Sequence, residues 1–295
     1  LSPFNVPEIW LNSINSQLFF CILSFLVLFS KNDKKNINYF NLLIILIAGF
    51  TGVYACVLAP VFLFKYLKFK TPQDKYNLII LIFCTISQFI LVVFSKLSGA
   101  LYEGKLHAVD INLIYNYVYN VPIKAFLGRN LTQFFFHTSN FNIKYAFIFF
   151  CIFSLFILTY LIYYFKKNPN IFNNNKFIIN SLFYAFISTS LLTLIGGTGQ
   201  YVGGRYAALP SFYLITLALF LAIITNELNL KIFFHLILLI SILSGAYEFK
   251  NNNKYKKYLI CINCPNWSSE VEKFNKNSNY NIKIWPYPEK TMKLN

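Results

Sequence analysis

The chain has 295 residues, of which 57% are hydrophobic and only 12% are charged. Soluble chains carry about 25% charged residues, so the composition excludes an ordinary soluble domain and points to a polytopic α-helical membrane protein. The formal charge of +16 lies on loops and tail, where lysines anchor and orient helices at the headgroups, and this excludes a nucleic-acid partner.

Apolar runs of about 20 residues are the length a helix needs to cross the hydrocarbon core. Hydropathy predicts seven of them, over 9–30, 40–65, 77–94, 145–165, 176–195, 206–225 and 231–247. The spans at 9–30, 77–94 and 231–247 are interrupted or shortened by Asn12, Asn15, Gln88 or His235. His235 is costly facing lipid and is expected to face a neighbouring helix. None of the runs alternates as a β-barrel strand does. The fold class is therefore an all-α transmembrane helix bundle over 1–248, with a long extramembrane loop at 95–144. A chain that opens at Leu1 with no signal-peptide pattern reads as a fragment whose N-terminal part is missing.

If all the runs cross, the loop at 95–144, the turn around 196–205 and the tail share one face. The turns at 65–76 and 166–176 carry Lys65, Lys68, Lys70, Lys75, Lys166, Lys167 and Lys176 to the opposite face. The positive-inside rule makes that face cytoplasmic and places the long loop and tail outside. The turn KNDKK at 31–35 argues the other way, since it puts three lysines on the outer face.

After residue 248 the pattern changes. KKYLICINC alternates like a strand, NWSSEVEKFNKN has helical spacing, and YNIKIWPYP alternates again. The expected unit is a small β–α–β cap over 249–295, with Asn266 as helix N-cap and Glu270 in the first turn. Cys261 and Cys264 form a C-x-x-C that is read as buried thiols or a disulfide rather than a zinc site. Cys21, Cys56, Cys84 and Cys151 sit in apolar spans and behave there as small hydrophobes.

Two stretches carry candidate chemistry. The first is GGTGQYVGGRYAALP at 196–210, which holds Arg205, one of only two arginines among 26 basic residues. Glycine frees backbone N–H groups, and arginine offers a planar bidentate fork that lysine lacks, which together suit a phosphate. The plainer reading is a tight turn with a headgroup anchor. The second stretch is the loop YEGKLHAVDINLIYNYVYNVPIKAFLGRNLTQFFFH, which gathers Glu103, His107, Asp110, Arg129 and His137. A general base needs a carboxylate or imidazole within reach of the acceptor hydroxyl, and Glu103 and His107 share a face if that part is helical. A solvated loop also collects polar residues without any chemistry. Its segment VDINLIYNYVYNVPIKAFL reads as an interfacial or re-entrant piece. No metal-ligand set is visible, and a divalent cofactor stays open.

Gly204-Arg205-Tyr206 followed by Ala207-Ala208-Leu209-Pro210 resembles the "RY-x-x-x-P" start of a late helix in GT-C-type membrane glycosyltransferases. Thr51-Gly52-Val53-Tyr54 through Leu58-Ala59-Pro60 is similar to a "TGP-x-x-x-x-L-x-P" stretch of uncharacterised bacterial members, with Val53 where the pattern often has proline. The resemblance implies a bacterial inner-membrane protein that takes a sugar from a polyprenyl-phosphate carrier and gives it to a cell-envelope acceptor. Arg205, Tyr206 and Gly204 would then bind the carrier phosphate, with Arg129 and His137. Glu103, His107 and Asp110 are the candidates for the catalytic acid or base; nothing in the chain aligns with the acidic residue the family carries in its first outer loop. An envelope-polysaccharide polymerase or ligase and a lipid-linked-sugar transporter or flippase stand as alternatives.

Overall fold

Prolines open two of the long helices. Pro72 and Pro169 occupy the first turn, where a missing N–H is no loss because that group has no partner inside the helix. The computed structural model describes residues 16–30, 37–98, 111–137, 143–196, 205–251, 266–277, 280–283 and 291–292. Within them the helices are α1 (Ser16–Val27), α2 (Tyr39–Thr51), α3 (Val53–Cys56), α4 (Ala59–Phe69), α5 (Pro72–Leu97) and α6 (Ile111–Val118). A π-turn (Tyr119–Ile123) leads into α7 (Lys124–His137), followed by α8 (Ile143–Lys167), α9 (Pro169–Gly196), α10 (Arg205–Ile224) and α11 (Leu228–Asn251). The chain divides into two compact units, 1–250 and 251–295.

Five helices are long and apolar enough to cross a bilayer, namely α5, α8, α9, α10 and α11. They match five of the predicted runs, with α9 extended back to Pro169 through residues that the sequence places in a turn. Their exposed faces are predominantly apolar. Only 6% of the apolar window of α8 is buried, which is how a helix with lipid for a neighbour looks.

The second predicted run is not one straight span. Tyr39–Thr51 and Val53–Phe69 are bent against each other by 120°. The contacts along α5 give the direction of each arm. Asn38 N–H donates to Gln73 Oε1 at 2.6 Å, while Gln88 Nε2 donates to Gly49 O and Phe50 O at 3.2 and 3.1 Å. So α2 runs parallel to α5, from Gln73 up to Gln88. The returning arm ends where it began: Lys65 Nζ lies 3.0 Å from Asp74 Oδ1, both buried. Lys70, at a φ of 51°, then closes α4 by donating its N–H to Tyr66 O and turns the chain into α5. At a rise of about 1.5 Å per residue, Gln88 stands about 22 Å above Gln73. The pair therefore rises to mid-depth and returns to the same end. Gly49 permits the close approach, since a Cβ there would come within 2.5 Å of Cys84 Cβ.

The end holding Gln73 is called here the near end. Phe29, Phe64 and Phe69 all meet the ring of Phe177 on α9 there. Ser30 joins the same end, where its Oγ accepts from Asn41 Nδ2 at 3.2 Å. The far end holds the close of α5, α9 and α11 and the start of α10 and α8. One apolar core lies towards the near end, built on Phe25, Phe62, Leu81, Leu182 and Tyr213.

The tail unit has α12 (Trp267–Lys276) and two short strands, β1 (Ile282–Lys283) and β2 (Thr291–Met292), paired antiparallel. Asn266 caps α12 as expected, accepting from Ser268 N–H at 3.1 Å. The expected first strand with Cys261 and Cys264 lies outside the described residues. Glu270 is buried at 2% exposure and accepts from Lys273 Nζ at 2.7 Å, Lys283 N–H at 2.9 Å and Tyr280 Oη at 2.8 Å. Lys273 beside it, then the Lys283 N–H and the Tyr280 hydroxyl, hold its carboxyl down to about 2.

Candidate functional site

A second broken segment enters from the far end. Residues 111–137 lie between α5 and α8, and side chains of α9, α10 and α11 mark their course. Tyr117 Oη donates to Ser190 Oγ, and Ser211 Oγ donates to Val121 O at 3.4 Å. Ser241 Oγ donates to Ala125 O at 2.7 Å, and Ser244 Oγ donates to Leu127 O at 2.6 Å. Counting along α11 from Asn251, Ser241 lies about 15 Å inside the far end and Glu248 about 4 to 5 Å inside. The segment therefore dips inward to Ala125 and climbs back towards Arg129. Pro122, which has no N–H, sits in the π-turn on the way down.

The way back begins at Gly128, whose φ of 73° and ψ of 175° interrupt α7. A Cβ here would collide with Ser244 Oγ, and positive φ is a region that side chains avoid. Such a break strands carbonyls on one side and N–H groups on the other, and in an apolar interior each needs a partner. One stripe of α11 supplies four of these partners. Ser241 and Ser244 donate to the carbonyls before the break, and Glu248 Oε1 accepts from Arg129 N–H and, at 3.1 Å, from Asn130 N–H after it. Thr132 Oγ1 adds a donor to Gly128 O.

Glu248 is 4% exposed, and among the described residues its second oxygen, Oε2, has no hydrogen-bond partner. Lys124 and Arg129 are its charged neighbours. Lys124 Nζ donates to Asn120 Oδ1 at 2.5 Å and stands 4.7 Å from the centre of the Tyr119 ring. Two cations, a buried carboxylate and the N-terminal half-turn of a helix thus share one corner of the far end. That corner can hold an anion and offers an acceptor beside it.

Of the residues that the sequence singles out, Arg129 is in this corner and half-buried. Arg205 is the first residue of α10, and Tyr206 follows it, half-buried, with its carbonyl accepting from Thr193 Oγ1 at 2.8 Å. Ala207 packs with Tyr117, Val118 and Val121, so the start of α10 adjoins the broken segment. His137 closes α7. Glu103, His107, Asp110 and Gly204 lie outside the described residues, as do the side chains of His137 and Arg205. The Thr51–Pro60 stretch falls on the bend between α2 and α4. His235 differs from expectation: it is exposed on α11, and its Nδ1 lies 2.7 Å from Lys231 O, one turn back. A bond to its own helix satisfies one ring nitrogen without any neighbouring helix. Among the described residues no group of three or more His, Cys, Asp or Glu is placed to hold a metal ion.

Glu248 is the residue that sequence reasoning missed. It was read as the last residue before the tail, although an acid closing an apolar helix after Ser241 and Ser244 is a polar stripe at helical spacing. The fold is that of a helical bundle of membrane-protein type, with five apolar helices of crossing length. No protein-family model, curated protein or solved structure matches the chain.

Proposed function

We propose that the chain is a GT-C-like membrane glycosyltransferase of the bacterial inner membrane. It passes a sugar from a polyprenyl-phosphate carrier to a cell-envelope acceptor at the far end of the bundle. The observation that carries this reading is the shared corner: Lys124 and Arg129 stand on a broken segment that buried Glu248 of α11 closes and that adjoins the start of α10, where Arg205 and Tyr206 lie. In this reading Arg205 and Arg129 take the phosphate, with Tyr206, Gly204 and His137 lining it, and Glu103, His107 or Asp110 serves the acceptor hydroxyl.

The same contacts support a finer architecture. The pair over 39–69 is re-entrant from the near end, so the bundle crosses with α5 and α8 to α11, and the first run is a further partial or full crossing. Lys31, Lys34 and Lys35 then belong to the connection between Ser30 and Ile37, two residues of the near end. The KNDKK turn joins the other lysine-rich turns, and the near end is cytoplasmic by the positive-inside rule. The tail, which follows α11, is then on the outer side of the membrane.

The test is binding of a polyprenyl-phosphate sugar to the purified chain, wild type against Arg205→Lys. Lysine keeps the charge and loses the fork, so binding should weaken by about 1–3 kcal/mol with insertion unchanged. Equal affinity would reduce Arg205 to a membrane anchor. A second reading, a transporter of the lipid-linked sugar, has one observation in its favour. The two broken segments come from opposite ends: Val121 O accepts from Ser211 of α10, and Tyr54 O is linked to α10 through α1, whose Cys21 Sγ donates to it at 3.2 Å and lies 3.4 Å from Tyr213 Oη. Paired broken helices are a feature of transporter sites. Carrier crossing vesicles that hold this chain and no acceptor would favour that reading.

A further inference from the structure

The broken segment needs an acceptor for the Arg129 and Asn130 N–H groups, and a single neutral carbonyl would serve. Glutamine at 248 would close the break with its amide oxygen. The protein instead buries a carboxylate, uses Oε1 for both N–H groups, and leaves Oε2 with no hydrogen-bond partner among the described residues. A buried oxygen that accepts no hydrogen bond keeps a desolvation penalty, so capping alone does not explain the second oxygen. Its neighbours add to the case. An ammonium has three N–H donors, and the structure commits one of those on Lys124, to Asn120. Arg129 brings a guanidinium from the first residue beyond the break. The corner therefore offers donors for an anion next to an acceptor for a neutral hydroxyl.

We infer that Glu248 Oε2, Lys124 and Arg129 form a binding site for a phosphate that carries hydroxyl groups, as a sugar phosphate does. The phosphate oxygens accept from Lys124 and Arg129, and a sugar hydroxyl donates to Oε2. Glu248 repels a second anion, so it sets the orientation: the cations take the phosphate and the carboxylate takes the polyol. For the source of that phosphate this rests on the carrier reading above; the hydroxyl contact is new to it. The same headgroup chemistry is found on a lipid carrier and on a free sugar phosphate, and the site is read here as the headgroup's.

The experiment measures the affinity of the full chain in detergent for three probes: a polyprenyl-phosphate hexose, polyprenyl phosphate without sugar, and soluble hexose 1-phosphate. Wild type should prefer the hexose-bearing carrier to the bare one by about tenfold or more, the range of a hydrogen bond to a buried charge. Glu248→Gln keeps the cap and turns the second position into a donor, so that preference should vanish while affinity for bare polyprenyl phosphate stays within about twofold. Lys124→Gln should weaken both carriers by a similar factor, about tenfold, and leave the preference intact. Ser244→Ala loosens the break without touching Oε2 and should keep the preference. Soluble hexose 1-phosphate bound in a Glu248-dependent way, with neither carrier bound, would support the site and overturn the carrier reading. A preference that survives Glu248→Gln, a preference lost equally in Ser244→Ala, or carrier affinities unmoved by Lys124→Gln would each overturn the inference.

Discussion

Two segments of this bundle break at depth, and they solve the same backbone problem with different chemistry. In the pair that rises from the near end, the carbonyls that the bend frees on α2 are met by the neutral amide of Gln88, and Gly49 packs closely against Cys84. Its charges, Lys65 and Asp74, pair with each other at the base. At the far end, Ser241, Ser244 and Glu248 close the break, and the charges point to no such closed account: one carboxylate, two cations and an oxygen left over. A break sealed with neutral groups is structure. A break sealed with a buried acid beside two bases is where we propose a ligand binds.

The largest effect should come from the base of the near-end pair. Asp74→Ala leaves Lys65 charged and buried, and should lower stability by about 3–5 kcal/mol. Thermal unfolding in detergent measures it, and a loss below 1 kcal/mol would mean that this pair does not fasten α4 to α5. Gly128→Ala comes next. The strain of positive φ and the collision with Ser244 should cost on the order of 2–4 kcal/mol and abolish carrier binding together with folding. Gln88→Leu should be milder, about 1–3 kcal/mol, because it strands two carbonyls and no charge. It should leave carrier affinity untouched, which separates the structural break from the functional one. An affinity loss in Gln88→Leu as large as that in Gly128→Ala would erase the distinction between the two.

The sequence shows the runs from 77 to 247 well, because a helix that faces lipid must be apolar along its length whatever its neighbours do. It does not show direction. Residues 40–65 are as apolar as a crossing helix, and only the pairing of Asn38 with Gln73 and of Lys65 with Asp74 reveals that the chain turns back. The signals of the bend, Gly52 and Pro60, are in the Thr51–Pro60 stretch that was read as a family motif. At the site, Arg129 stands out by rarity, whereas Glu248 takes its meaning from a break 119 residues earlier in the chain. No local pattern carries that distance.

The smallest effect belongs to the tail. Glu270 is held down to about 2 in the folded unit against an ordinary value of 4.5. A carboxyl lowered by folding stabilises fully above its unfolded value and loses that contribution as pH falls through the folded one. Protection of the Lys283 amide, measured against the intrinsic exchange rate at each pH, should therefore fall between about pH 4.5 and 2, and Glu270→Gln should flatten that dependence. Unchanged exchange across this window would detach Glu270 from the hold on β1.

The account depends most on the claim that the pair over 39–69 enters and leaves at one end, opposite to the far-end segment. Single cysteines at Lys34, Lys70, Asn168 and Ser98, placed in a chain without its native cysteines, can be labelled in sealed vesicles with a membrane-impermeant maleimide. Lys34→Cys, Lys70→Cys and Asn168→Cys should react from one side and Ser98→Cys from the other. Labelling of Lys34→Cys from the side of Ser98→Cys would make 39–69 a crossing span and contradict the account.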